Sequence, residues 1–323
     1  MFSVRTDLAV EARELYKEGH AGEIPGVFLE ERENNGVKIV KVKILNNEGV
    51  KAMGKPIGDY ITIDAPDLKY RNLELEEKVA KILADVIREI ANVNVKIKTL
   101  VIGLGNWNVT PDALGPKVTE NIVVTRHLKE LVPLQFGDNI SSVSAIAPGV
   151  LGITGIETAE IVKSIVDRTK PDLLITIDAL ASRRIERLAT TIQISNTGIS
   201  PGSGIGNGRL AINEESLGIP VIAIGVPTVV DAATIANDTM EYLTNALIQK
   251  TSKDSPFYMV LKNMGDEDKY ALIKEVLDPE ANLMVTPKEI DILIKNISSI
   301  ISRGINLALQ PNLTVEEMNQ LVH

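Results

Sequence analysis

The sequence predicts an α/β protein, a three-layer α/β/α sandwich with a mostly parallel central sheet and a small antiparallel β subdomain near its amino terminus. Two observations predict the sandwich. Short aliphatic runs bounded by Gly, Pro or Asp read as strands buried on both faces, and between residues 98 and 248 they alternate with stretches of helical period. A third observation predicts the subdomain: Asn35-Gly36 lies between alternating apolar runs, and Asn-Gly is a strong hairpin signal because both residues tolerate positive φ.

Taken in order, the antiparallel unit occupies residues 26–63: Val27-Phe28-Leu29, the turn Asn34-Asn35-Gly36, the run from Val37 to Ile44, and a further strand from Tyr60 to Ile63. Within 75–90, Val79, Ile82, Val86 and Ile90 recur at helical spacing, with charged residues on the other faces. Core strands are expected at 99–103, 143–147, 173–177 and 221–225, and helices around 118–131, 157–168, 183–188 and 232–248. Thr154 and Glu157 have capping-box spacing. Thr286-Pro287-Lys288-Glu289 puts a cap, an N1 proline and an N3 glutamate ahead of a last helix whose apolar face runs through Ile290, Leu293, Ile294, Ile297, Ile300 and Ile301. The polar stretch 251–268 reads as a flexible excursion.

Composition narrows the chemistry. A chain of 323 residues can bury a large core. It contains no cysteine, which removes disulfides and thiol nucleophiles alike. Of its three histidines, His20 falls in a polar loop, His127 on an expected helix and His323 at the end, with no HExxH pairing. No serine occupies a G-x-S-x-G elbow. The net charge of -9 argues against nucleic-acid and anionic-membrane partners, and an aromatic content of 3% argues against stacking platforms. The start, Met1 to Asp7, lacks an apolar h-region, and no uninterrupted apolar run suits a bilayer. A cytoplasmic location without a membrane anchor is expected.

Carboxylates remain. Asp112 and Asp178 each lie where a buried-strand pattern ends, and open α/β sheets bind ligands beyond the carboxyl ends of their strands. The competing reading gives them local duties, Asp178 capping a helix over 179–188 and Asp112 forming a turn after Pro111. Gly103-Leu104-Gly105 begins like a dinucleotide fingerprint but has Asn108 where the third glycine belongs. In the loop 201–209, the backbone of Gly202, Ser203 and Gly204 could hold an anion or an extended peptide, and tight turns alone explain the loop equally well. Arg183, Arg184, Lys117 and Arg209 are the cations near these loops, and an Arg fork suits a carboxylate.

Several longer motifs carry a family resemblance. Gly103-Leu104-Gly105-Asn106 with Thr110-Pro111-Asp112-Ala113-Leu114-Gly115-Pro116, Ala147-Pro148-Gly149-Val150, Thr154-Gly155-Ile156-Glu157-Thr158, Ile177-Asp178-Ala179-Leu180-Ala181 and Met284-Val285-Thr286-Pro287-Lys288-Glu289 together resemble the germination protease of spore-forming Firmicutes, from near residue 3 to about residue 309. The resemblance implies an aspartic-type endopeptidase that degrades small acid-soluble spore proteins during germination. It further implies a homotetrameric zymogen of the forespore and spore core, and a phosphorylase/hydrolase-like core similar to that of hydrogenase-maturation peptidases. Its catalytic aspartates fall on Asp112 and Asp178. No cofactor is expected, although in those relatives two acidic residues bind a divalent metal.

Substrates of that family are cut after an acidic and before a hydrophobic residue, in a stretch like Thr-Glu-Phe/Ile-Ala-Ser-Glu. Thr6-Asp7-Leu8-Ala9-Val10-Glu11 is similar. The implied organisation is a propeptide of residues 1–7, released by self-cleavage between Asp7 and Leu8, and a single peptidase domain of residues 8–323 with 26–63 inserted. One carboxyl would act as base and the other as acid, their proton affinities split by burial and repulsion. Activity is then expected to survive or rise just below neutral pH. Two rivals stand beside this reading: a metallopeptidase with Asp112 and Asp178 as ligands, and a non-enzymatic anion-binding module built on the loop 202–208.

Overall fold

A computed structural model describes residues 5–20, 22–91, 93–94, 96–131, 139–199, 211–252, 254–263, 273, 277 and 283–321. Among the described residues, nine strands form one sheet in the order β1-β2-β3-β7-β8-β6-β4-β5, with β9 pairing β8. They are β1 (Val27–Asn34), β2 (Val37–Ile44), β3 (Gly58–Asp64), β4 (Lys98–Gly103), β5 (Ser142–Ile146), β6 (Leu173–Ser182), β7 (Thr191–Ser195), β8 (Val221–Asp231) and β9 (Met284–Val285). The strands β8, β6, β4 and β5 are mutually parallel. The hairpin at Asn35-Gly36 forms with both residues at positive φ. Its strands join the parallel part through β3 and β7, both antiparallel to their neighbours, so the amino-terminal unit and the core share one sheet.

Helices cover both faces. Along β4, Val101 points to one side while Leu100 and Ile102 point to the other, as a strand buried twice must. On the Val101 side, α3 (Leu73–Ala91) packs with the helix Ile290–Leu309. On the opposite side lie the helix Thr158–Thr169 over β4 and β6, and α1 (Ala9–Gly19) with α2 (Asn47–Met53) over β2 and β3. The helix Ile290–Leu309 is long and apolar enough, by length and composition, to cross a bilayer, contrary to the expectation that no apolar run suits one. Here it is a core helix, with 61% of that window buried.

Several local expectations change. The capping box at Thr286 does not form: the Thr286 hydroxyl donates to the Thr228 carbonyl, and the helix begins at Ile290 with no side-chain cap. A missing cap costs about 1 kcal/mol, whereas burying Ile290, Ile294, Ile297, Ile300, Ile301 and Ile305 is worth on the order of 10 kcal/mol, so packing decides. Thr154 ends a short helix instead of capping the next, whose N-cap is Glu157. The helix expected at 118–131 is two, Leu114–Thr119 and Arg126–Leu131. Between them Thr125 pairs with β5, its N–H donating to the Val143 carbonyl, and the β-branched run from Ile122 to Thr125 favours extended chain. The segment expected as a helix at 183–188 holds only a 3-10 turn, Ile185–Arg187. The stretch 251–268, expected as a flexible excursion, contains the helix Pro256–Asn263; residues 253 and 264–268 of it lie outside the described residues.

Candidate active site

β6 does not stop at Asp178. It runs on to Ser182 because β8 accompanies it, from Asp178 opposite Gly225 to Ser182 opposite Val230, with a register shift between Leu180 and Ala181. Asp178 therefore caps no helix. On the other flank β4 ends at Gly103, opposite Ile177, which leaves the far end of β6 with one edge free of β4.

Asp112 reaches the same place from a loop. The glycines of the dinucleotide-like stretch serve close packing: a Cβ on Gly103 would lie 2.2 Å from the Gly115 carbonyl oxygen, and one on Gly105, at φ +117°, 2.0 Å from the Asp112 carbonyl oxygen. Asp112 ends the 3-10 turn Thr110–Asp112, and the Asn106 N–H donates to its carboxylate at 2.8 Å. The turn-forming duty considered for Asp112 is thus real, and its carboxyl faces the cavity as well.

Both aspartates line one cavity of about 630 Å³, together with Asp7, Lys55, Tyr60, Gln193, Ser195 and Gly225 among others. Part of its floor is a row across the sheet, with Gln193 opposite Gly225 and Gly225 opposite Asp178. Residues paired in this way share a face, and glycine between them leaves the space open. Asp178 is pushed up to about 8, by burial first, then by the negative charge of Asp112, against the Ala179 N–H that donates to it. Burial also raises Asp112, while the Asn106 N–H opposes the rise.

Part of the amino-terminal segment, Arg5 and Asp7, lines this cavity. The Asp7 N–H donates to the Ala181 carbonyl at 2.9 Å, and the Ala181 N–H donates to the Asp7 carboxylate at 2.8 Å. Asp7 so pairs with β6 beyond the end of β4, and Leu8 behind it is fully buried. Glu11 is buried too, accepting from the Arg183 N–H at 2.6 Å, the Arg184 N–H at 3.1 Å and the Thr6 hydroxyl at 2.5 Å, with the Arg187 guanidinium at 3.0 Å.

Of the cations near the loops, Arg183 uses its guanidinium on Asp238 and Glu18, Arg184 reaches Glu14, and neither they nor Lys117 line the cavity. Gly202, Ser203, Gly204 and Arg209 lie outside the described residues. Arg5 and Lys55 are the cations that line the cavity among the described residues. Lys55, Gln193 and the whole of β7 escaped sequence reasoning; the alternation Thr191-Ile192-Gln193-Ile194-Ser195 was the available signal. His20 stacks on Tyr16 and His127 is exposed.

No group of three or more His, Cys, Asp or Glu that could hold a metal ion occurs among the described residues. The donor set thus falls short of the three protein ligands of a catalytic zinc site, and no step is assigned to a metal.

An α/β/α sandwich whose cavity is lined by two carboxyls raised by burial, with Asp7 bonded to the flank of β6 beyond β4, is an arrangement suited to one class of protein, a peptidase. The family model described as germination protease matches residues 6–258 and 246–322. A germination protease of Caldanaerobacter subterraneus subsp. tengcongensis is 69% identical over 100% of this chain and 99% of its own length. Those of Clostridium tetani and Bacillus cereus are 54% and 43% identical, covering 99% and 100% of this chain and 100% and 98% of their own lengths. The chain belongs to the germination protease family. A solved NiFe hydrogenase maturation protease from Thermococcus kodakarensis, 22% identical, covers 46% of this chain and 80% of its own with a TM-score of 0.29, too low to carry an argument.

Proposed function

We propose that this peptidase is an endopeptidase made as a zymogen, which cuts itself between Asp7 and Leu8 and then opens the degradation of small acid-soluble spore proteins in the germinating spore. It cuts after an acidic and before a hydrophobic residue. The observation that carries this reading is Asp7, bonded to the edge of β6 through its N–H and its carboxylate and lining the same cavity as Asp112 and Asp178. Residues 6–11 are similar to the expected recognition stretch and are held as a substrate would be, with an acidic side chain on the Ala181 N–H, an apolar one buried behind it and Glu11 on Arg187.

In the mechanism Asp178, the carboxyl with the more strongly raised proton affinity, carries the proton, and Asp112 is the base. Asp112 takes a proton from water as its oxygen bonds to the Asp7 carbonyl carbon. The carbon–nitrogen bond then breaks, and the Leu8 nitrogen takes the Asp178 proton. The products are a carboxylic acid at Asp7 and an amine at Leu8. The enzyme acts in the forespore and spore core as a homotetramer, and exposed Tyr242, Leu243, Leu247, Met259 and Val260 supply apolar surface for assembly.

Mass analysis of purified full-length protein before and after mild acidification tests this reading. A new amino terminus at Leu8 in the wild type, absent in Asp178→Asn, is expected. A chain that stays intact and leaves a Thr-Glu-Ile-Ala-Ser-Glu peptide uncut would refute it.

A further inference from the structure

The carbonyl of the Asp7-Leu8 bond is held from two sides. Lys55 Nζ donates to its oxygen at 2.9 Å and Gln193 Nε2 at 3.2 Å. The second end of the same Gln193 amide accepts from the Ala9 N–H at 2.6 Å, so one buried side chain bridges the backbone on both sides of the bond. Gln193 is 8% exposed, and it sits on β7 in the row that leads through Gly225 to Asp178. Lys55 follows α2, whose C-cap Gly54 takes the left-handed conformation. The two donors reach the carbonyl from elements distant in sequence.

We propose that Lys55 and Gln193 are catalytic residues that stabilise the oxyanion formed on the carbonyl preceding the cut. This rests on the reading of Asp7-Leu8 as the scissile bond. When water adds to the Asp7 carbonyl carbon, the C=O π pair moves onto oxygen. That full negative charge then meets an ammonium and an amide N–H already in position, and preorganised donors of this kind act most strongly where water is excluded. When the intermediate collapses, the pair returns to the carbon–oxygen bond as the carbon–nitrogen bond breaks, and neither donor is consumed. Burial lowers Lys55, while the negative charges of Asp7 and Glu11 pull it back up. An acidic residue before the cut thereby helps keep the ammonium charged, which links the specificity to the chemistry.

The test uses the full chain. The rate at which the Leu8 terminus appears is followed by intact mass, and steady-state cleavage of a Thr-Glu-Ile-Ala-Ser-Glu peptide supplies kcat and KM. Lys55→Met is expected to slow both cleavages about a hundredfold or more, through kcat, and the isosteric Gln193→Glu, which removes the Nε2 donor, by about tenfold or more. Circular dichroism and thermal melting report folding for each variant, and a folded Gln193→Glu judges the proposal even where Lys55→Met does not fold. Either folded variant cutting at the wild-type kcat, or showing only a raised KM, overturns the assignment. A wild type that stays intact yet cuts the peptide refutes self-cleavage instead, and the peptide kinetics of the variants then decide on Lys55 and Gln193.

Discussion

The two halves of the sheet equip the cavity differently. The parallel half supplies the carboxyls: Asp178 within β6 and Asp112 in the loop after β4. The antiparallel half supplies the groups that grip the peptide, Gln193 on β7 and Lys55 before β3. Acids follow the general rule that ligands lie beyond parallel strand ends, while the grip depends on an added set of strands. In the proposed mechanism, proton transfer and stabilisation of the oxyanion therefore fall to separate parts of the sheet, which meet where β7 pairs β8.

The harshest way to break this division is to remove the acids. Asp112→Asn and Asp178→Asn are each expected to lower cleavage about a thousandfold, measured by peptide turnover and intact mass, while melting as folded proteins. Unchanged turnover in either variant removes that residue from the chemistry. Arg187→Met acts on the seat and not on the acids: Glu11 keeps two backbone N–H donors but loses its charge partner, and Glu14 loses its bridge to Arg187, together a loss of about 3 kcal/mol in stability by denaturant titration.

A pH series sharpens the comparison further. Above pH 8 turnover is expected to fall about tenfold per pH unit as Asp178 loses its proton. The same group gives stability a slope: it ionises near 3.8 when unfolded and about 8 when folded. Proton binding therefore favours the folded chain at low pH, and that help is lost as pH rises from 3.8 to about 8. Asp178→Asn should flatten the slope, and a slope unchanged in the variant would assign it to other groups. The smallest effect expected is that of a chelator on freshly purified protein, less than about twofold in turnover. A large loss restored by a divalent cation would favour metal-activated water.

The parallel half was the more legible in the sequence. The aliphatic runs that became β4, β6 and β8 can be little else than doubly buried strands, and both aspartates could be named from where those runs end. Strand lengths were less visible, since β6 continues through Asp178 only because β8 runs beside it, a pairing that no local pattern encodes. The grip was hidden for a related reason. Lys55 is one lysine among many until the chain brings it to the Asp7 carbonyl, and Gln193 interrupts an apolar alternation as any solvent-facing glutamine might, yet it is buried. The expected cation was sought beside the loops, where Arg183 instead joins Asp238 and Glu18.

On the proposed reading, the unequal lengths of β4 and β6 also decide what can enter. A strand flank without a neighbour offers hydrogen bonds only to chain that is already stretched out, so helices and compact domains are turned away before any side chain is inspected. Selection on that reading would begin with the conformation of the visitor, since only an extended segment can match the free flank of β6.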